Sequence, residues 1–289
     1  MKNRKNHKKE KPSFKGKNQK DPRRQNNKPS HNRSGKKQTE TKIKVDLFGI
    51  HAVREAWLNP KRHIHDLFIT DSTLDQFDDA LTKAHDMGLK RPVPKIVDRS
   101  VLDHSTPPGS VHQGVGLNCQ NLEEVDIHDI IRSDEHKAKS VLIMLDQVTD
   151  PHNVGAIIRS ASAFGAHGLI MQSKHAPDIK GVLAKTACGG VEHLPVAYET
   201  NLTRSLEALQ AAGYFAIGLD ERGEKALGEL PHYPKTVLVL GAEGDGLRRL
   251  VREQCDVLTC LPTQEPIASL NVSNAAAVGL YALSLPNQN

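Results

Sequence analysis

No Cys-x-x-Cys pair occurs among the four cysteines of this chain, Cys119, Cys188, Cys255 and Cys260. That absence removes the common zinc-ligand and redox spacings and leaves free thiols, as expected of a protein in the reducing cytoplasm. No metal site is expected. No apolar leader opens the sequence, and no run is long enough to span a bilayer, so a soluble protein without a membrane partner is expected. The Asn-x-Ser/Thr matches, at Asn32, Asn201 and Asn271, therefore carry no glycosylation reading. Apolar residues are also scarce, 37% of 289, and the shortfall lies at one end.

Residues 1–44 hold 17 of the 39 basic residues and 3 of the 34 acidic ones, a net charge of +14. The remaining 22 basic and 31 acidic residues leave 45–289 at −9. A basic tail on an acidic body is thus hidden behind an overall +5. With one Phe and one Ile, the tail cannot bury enough apolar surface to offset chain entropy, and it reads as disordered. Its charge suits electrostatic attachment to nucleic acid, with a solubilising leader as the plainer alternative.

Ordered sequence is expected from about Asp46. LFGIHAVREAWL reads as a helix opening after Gly49, HDLFIT as a strand, LDQFDDALTKAHDMG as a helix ending at Gly88. PVPKIV, SVLDHST and SVHQGVGLNC follow as strand, short helix and closing strand, which makes 45–120 a small α/β domain. Residues 121–139 are charged and read as a linker with a helical turn. From 140 to 289 the pattern changes. VLIML, GLIMQ, PVAY, YFAIGL, TVLVLG and VLTCL are short apolar runs separated by helical segments at 153–164, 178–188, 201–212, 246–254 and 272–285. Apolar strands alternating with helices predict a parallel sheet covered on both faces, whose ligands sit beyond the carboxyl ends of its strands.

Three loops follow from that rule. The first, DQVTDPHNVG, starts at Asp146; Pro151 restricts the backbone before it, and Asn153 suits a helix cap. The helix it opens, GAIIRSASAFG, carries a single charge, Arg159, whose neighbours three and four positions away are Gly155, Ala156, Ser162 and Ala163. A buried arginine there needs a partner such as a phosphate, a substrate carboxylate or an acidic side chain. The second loop, LGAEGDGL, places Glu243 among Gly241, Gly244 and Gly246. Its glycine order fits neither a dinucleotide fingerprint nor a P-loop, and a carboxylate there suits a ligand with donors or positive charge. The third, LPTQEPIASLNVSNAAAVGLYAL, offers Ser269, Asn271 and Ser273 as helix-start residues, followed by a small-residue face at Ala275, Ala276, Ala277 and Gly279.

Segments 145–170, 237–256 and 261–283, in this order, resemble the SpoU/TrmH family of RNA ribose 2′-O-methyltransferases. ACGGVEHLPV at 187–196 adds to the resemblance, and LFGIHAVREAW with HQGV at 112–115 looks like the substrate-binding domain of its bacterial ribosomal subgroup. The resemblance covers roughly 46–285. It implies a carboxyl-terminal SPOUT domain with a deep trefoil knot, through which the third segment passes. It implies S-adenosylmethionine as cofactor, contacted at Gly241, Leu261 and Leu270, and a catalytic set of Asn153, Arg159, Glu243, Ser269 and Asn271. It also implies a homodimer whose active site draws on both subunits, and a guanosine of large-subunit ribosomal RNA, free or in a pre-ribosomal particle, as substrate. Two positions depart from the family: Glu265 stands where glycine is frequent, and Thr263 where methionine is. A transfer-RNA methyltransferase and a catalytically silent RNA-binding factor are the alternatives. A nicotinamide-dependent dehydrogenase lacks its glycine fingerprint.

Overall fold

The computed structural model describes residues 42–266 and 269–285. The expected disordered tail lies outside the described residues up to position 41. Its last residues are held: Ile43 N–H donates to Ser105 Oγ at 3.1 Å, and Lys44 Nζ lies 3.3 Å from the Asp46 carboxylate.

The amino-terminal part runs β1 (Leu47–Phe48), α1 (Ile50–Leu58), β2 (Ile64–Ile69), α2 (Asp71–Asp86), β3 (Lys95–Ile96), α3 (Arg99–Ser105) and β4 (Val115–Cys119). Its sheet order is β1-β4-β2-β3, antiparallel except for the β2–β3 pair. Trp57, Leu67, Ile69, Phe77 and Leu117 fill its core. Arg91 donates to the carbonyls of Trp57, Asn59 and Arg62 at 2.7, 2.7 and 3.0 Å. A cation there satisfies carbonyls left over at the end of α1.

The second part runs α4 (Ile127–Ser133), β5 (Ser140–Asp146), α5 (Pro151–Ala163), β6 (Gly168–Gln172), α6 (Gly181–Thr186), β7 (Val196–Glu199), α7 (Leu202–Ala211), β8 (Phe215–Leu219), β9 (Lys225–Ala226), β10 (Lys235–Gly241), α8 (Arg249–Gln254), β11 (Val257–Cys260) and α9 (Val272–Ser284). Seven strands pair in the order β7-β6-β5-β10-β8-β11-β9, all parallel. Strand alternation splits the apolar side chains between two faces. Ile143, Leu145, Leu238 and Leu240 meet α5, α6 and α9, while Leu142, Met144, Val237 and Val239 meet α4, α7 and α8.

The charged stretch 121–139 is more than a linker. Asp126 and Asp129 form a capping box at the start of α4, and Ile127 and Ile130, three apart on one face, are buried against the sheet. Behind it the buried Asp134 accepts from Ser140 Oγ at 2.5 Å and Tyr214 Oη at 2.8 Å, with Lys137 Nζ at 2.7 Å. Apart from Asp134, the charged residues of the stretch face water while Ile127 and Ile130 do not.

The small sheet docks on the large one through a buried ion pair. Arg62 Nη2 lies 2.5 Å from Glu192 Oε1, with side chains 3% and 2% exposed. Asn59 Nδ2 donates to Glu192 Oε2 at 2.7 Å, and Arg62 Nη1 donates to the Gln120 carbonyl at 2.8 Å. Asp46 adds a second tie, its carbonyl accepting from Gly181 N–H at 2.8 Å.

Candidate active site

Register brings the expected loops together. Gly241 at the end of β10 pairs with Asp146 at the end of β5, Leu240 pairs with Leu219 on β8, and Leu219 pairs with Thr259 on β11. The loops after β5, β10, β8 and β11 therefore leave one edge of the sheet side by side. Parallel sheets bind ligands at that edge.

Between the loops after β8, β10 and β11 opens a cleft of about 740 Å³, a size suited to a small-molecule ligand. Gly241, Leu261 and Leu270, the expected cofactor contacts, line it, as do Glu243 and Ser269. Leu240, Val272 and Ala275 supply more apolar wall. Gly241 is fixed by its own loop: a Cβ there would come within 2.1 Å of the Gly246 carbonyl carbon and 2.4 Å of Leu247 N. The loop folds back because Gly246 N–H donates to the Ala242 carbonyl at 3.0 Å, while Gly244 and Gly246 take φ of 85° and 65°. Its far end is pinned to β5. The fully buried Asp146 accepts from the Arg248 backbone N–H at 2.8 Å and from Arg248 Nε at 2.6 Å.

At the rim the three loops meet through side chains. Asn271 Nδ2 donates to Asn153 Oδ1 at 3.0 Å and to Glu243 Oε1 at 2.5 Å. Val272 N–H adds a longer contact to Glu243 Oε1 at 3.4 Å. Asn271 also caps α9, accepting from Ser273 N–H at 2.8 Å and Ser273 Oγ at 2.6 Å. Asn153, Glu243 and Asn271 thus form one hydrogen-bonded constellation spanning 118 residues of sequence. Asn153 takes a different place from the one expected. Asp150 caps α5, accepting from His152 and Asn153 N–H, and Pro151 occupies the first turn. With the cap supplied by Asp150, the Asn153 side chain is left to join Asn271.

Arg159 lies apart. It is six residues beyond Asn153, about 9 Å along the helix, and does not line the cleft. The expectation of a buried cation is corrected: Arg159 is exposed, and among the described residues it has no hydrogen bond or ion pair. Its small neighbours have another cause. A Cβ at Gly155 would meet the Leu183 carbonyl oxygen at 2.6 Å, so that glycine admits the backbone of α6. Ser162 lies against Gly190, whose own Cβ would come within 3.3 Å of Ser162 Cβ. Glu265 is exposed and outside the cleft lining, so its departure from the family pattern leaves the apolar wall intact, whereas Thr263 does line the cleft.

Burial pushes the Cys119 thiol up to about 11 and the Cys255 thiol up to about 12, which keeps both protonated and unreactive. All four cysteines are free. Among the described residues no group of three His, Cys, Asp or Glu side chains could hold a metal ion, and no helix is long and apolar enough to cross a membrane.

The sequence pattern singled out neither Asp146, Arg248 nor Asp220. Asp146 and Arg248 are 102 residues apart, and no local spacing signals their contact. Asp220, at the end of β8, lines the cleft with a side chain 3% exposed, and its Oδ2 has no hydrogen-bond partner among the described residues.

Fold and site define an all-parallel α/β protein that takes a small ligand between the loops after β8, β10 and β11, with a second α/β domain docked beside it. The comparisons narrow that class. The SpoU rRNA Methylase family matches residues 140–281, and the RNA 2′-O ribose methyltransferase substrate-binding family matches 47–125. The 23S rRNA (guanosine-2′-O-)-methyltransferase RlmB of Coxiella burnetii is 34% identical over 83% of this chain and 95% of its own. A tRNA/rRNA methyltransferase of Mycolicibacterium smegmatis, itself uncharacterised, is 35% identical over 89% of this chain and 80% of its own. Among solved structures, the SpoU methyltransferase AviRb of Streptomyces viridochromogenes, in complex with the cofactor AdoMet, superposes with a TM-score of 0.67 at 25% identity, covering 82% of this chain and 88% of that one. This chain belongs to the SpoU rRNA methylase family.

Proposed function

We propose that this protein transfers a methyl group from S-adenosylmethionine to the ribose 2′-hydroxyl of a guanosine in large-subunit ribosomal RNA. The observation that carries the reading is the Asn153–Glu243–Asn271 constellation at the rim of a cleft lined by Gly241, Leu261 and Leu270. The residues present fit the cofactor. The cleft has an apolar wall for a nucleoside, the Gly241 backbone on its lining and an unsatisfied acceptor at Asp220. The bound cofactor supplies an electrophilic methyl group on a sulfonium. The chain's part is to hold the attacking hydroxyl in line with it. Asn153, Glu243 and Asn271, locked by their mutual hydrogen bonds, provide a preorganised rim for the target ribose, with Ser269 beside them on the cleft wall.

Arg159 acts on the substrate as a cation. A guanidinium stays protonated at neutral pH, so its role is to grip a phosphate and orient the hydroxyl. Its exposure outside the cleft of its own chain favours a homodimer in which Arg159 of one copy serves the cleft of another. The exposed Phe164, just after α5, and Val278 and Tyr281 on α9 suit such an interface. In this reading 45–120 engages RNA, 121–139 joins it to the knotted transfer domain 140–289, and the tail 1–44 adds charge. The protein works in the cytoplasm. A transfer-RNA substrate is the second reading, favoured by the name of the mycobacterial relative.

The test is methyl transfer from labelled S-adenosylmethionine to unmodified large-subunit ribosomal RNA and to transfer RNA, followed by digestion to nucleosides. The expected product is 2′-O-methylguanosine from ribosomal RNA. It should be lost in Arg159→Ala, whose thermal stability should match wild type because Arg159 has no partner among the described residues. Product from transfer RNA alone would overturn the substrate assignment. No product and no cofactor binding would mark a silent RNA-binding factor.

A further inference from the structure

We infer that Asp220 is a cofactor-positioning residue, its free carboxylate oxygen accepting a hydrogen bond from a ribose hydroxyl of the bound nucleoside cofactor. The inference rests on the cofactor assignment above and adds a side-chain contact to it.

Three observations carry it. First, position: β8 lies between β10 and β11 in the sheet, so the residue after β8 sits between the two loops that wall the cleft. Asp220 lines the cleft, and a Cβ built on Gly246 would lie 3.8 Å from its Oδ2, so that oxygen faces the glycine loop. Second, rigidity: Asp220 N–H donates to the Thr259 carbonyl at 2.9 Å, and its own carbonyl accepts from Gly223 N–H at 3.0 Å. Its Oδ1 accepts from Arg222 N–H at 3.0 Å. The carboxylate cannot swing to another partner. Third, the deficit: the side chain is 3% exposed, yet Oδ2 has no partner among the described residues. A buried carboxylate oxygen left unpaired is destabilising, and such an atom persists where a ligand completes it.

The missing partner is a neutral donor. Arg222 Nε already lies 3.6 Å from Oδ1 and balances much of the carboxylate charge. A second cation, such as the ammonium of the cofactor's amino-acid portion, would be repelled by that guanidinium. A ribose hydroxyl donates one hydrogen bond without adding charge. An acidic side chain at a strand end accepting from a ribose hydroxyl is sound chemistry in parallel sheets generally.

The experiment measures binding to the full chain by calorimetry, with wild type, Asp220→Asn and Asp220→Ala. S-adenosylhomocysteine and 5′-methylthioadenosine are the probes. Both carry the ribose, and only the first carries the ammonium. Thermal unfolding without ligand is measured in parallel. Asp220→Ala should weaken both probes by the same factor, about tenfold or more, and Asp220→Asn should weaken both in the same direction. Without ligand, the isosteric Asp220→Asn should unfold at the wild-type temperature or above, because it removes a buried negative charge whose Oδ2 has no donor among the described residues. A lower affinity with unchanged or raised stability is a combination that a purely structural role does not give. Undiminished binding in both variants overturns the inference while leaving the cofactor assignment standing. Loss confined to S-adenosylhomocysteine overturns the ribose contact in favour of the ammonium. A destabilised Asp220→Asn that binds both probes normally marks a structural carboxylate and also overturns it. If wild type binds neither probe, the cofactor assignment itself fails.

Discussion

Replacing Glu192 by alanine is expected to be the most destabilising single change at the contact between the small and large sheets. The carboxylate is 2% exposed and receives three hydrogen bonds, from Asn59 Nδ2, Arg62 Nε and Arg62 Nη2. Its removal leaves a guanidinium that is 3% exposed with one remaining acceptor, the Gln120 carbonyl. Stranding a buried charge in this way costs about 3–5 kcal/mol. For a unit of this size, each kcal/mol moves the melting temperature by about 2–4 °C, so Glu192→Ala should melt about 6–20 °C below wild type by circular dichroism. The double variant Arg62→Met with Glu192→Leu removes both charges and keeps apolar volume. It should recover most of the loss, because a buried pair contributes little beyond a well-packed apolar contact. Undocking of the small sheet is a second route to relief. Limited proteolysis of Glu192→Ala should then cut within 120–126, where wild type resists. A Glu192→Ala protein that melts within about 2 °C of wild type and stays resistant would show that the pair is hydrated and that the other contacts between the two sheets hold them together.

Other perturbations probe the site and the charge distribution. Gly241→Ala forces its Cβ to within 2.1 Å of the Gly246 carbonyl carbon; it should cost about 1–3 kcal/mol and abolish binding of S-adenosylhomocysteine by calorimetry, and full binding would mean that the loop opens freely. Burial raises the Asp134 carboxyl, but hydrogen bonds from Lys137, Ser140 and Tyr214 outweigh it and set the group below its ordinary value. Its stabilisation is then present above the unfolded carboxylate value, about pH 4, and is lost as pH falls through the lower folded value. Asp134→Asn should flatten that acid limb in urea midpoints measured across the range, and an unchanged limb would rule out the group. Deleting 1–41, which carries most of the excess positive charge, should leave the melting temperature unchanged and weaken RNA binding most at low salt; unchanged affinity at low salt would refute an electrostatic role for the tail.

The large sheet was legible because each of its main strands is a short apolar run with helical spacing between runs. β9, only Lys225–Ala226, was not, because two residues show no periodicity. The cap of α5 was misread by three residues. Asp150 and Asn153 both carry cap chemistry; Asp150 serves, just ahead of Pro151, and the Asn153 side chain pairs with Asn271, far away in sequence. The packing of α4 was hidden by the charge around Ile127 and Ile130, since two apolar positions suffice for a helix of seven residues. The site loops were located by the strand-end rule alone. Their direct contact was not, because hydrogen bonds such as Asn271 to Glu243 depend on a sheet register that sequence does not display.

The small residues around Arg159 show how one pattern can have two causes. A bare helical face around a cation resembles a space cleared for a ligand. At Gly155 and Ser162 the space is filled by the chain itself, by α6 and by the turn at Gly190. What the face does for Arg159 is indirect: close packing of α5 on α6 fixes the helix, and the guanidinium projects from that fixed helix into solvent. A cation held this way has a defined origin and a free end, which suits a group that meets a phosphate arriving from outside. Asp220 is the reverse case. It sits in an unremarkable stretch, GLDERG, and nothing in its spacing draws attention. Only the fold exposes the deficit, a carboxylate oxygen removed from water and given no donor. Residues that await a ligand are legible in sequence when the chain must be shaped around them, and become visible only in three dimensions when the ligand itself completes the bonding.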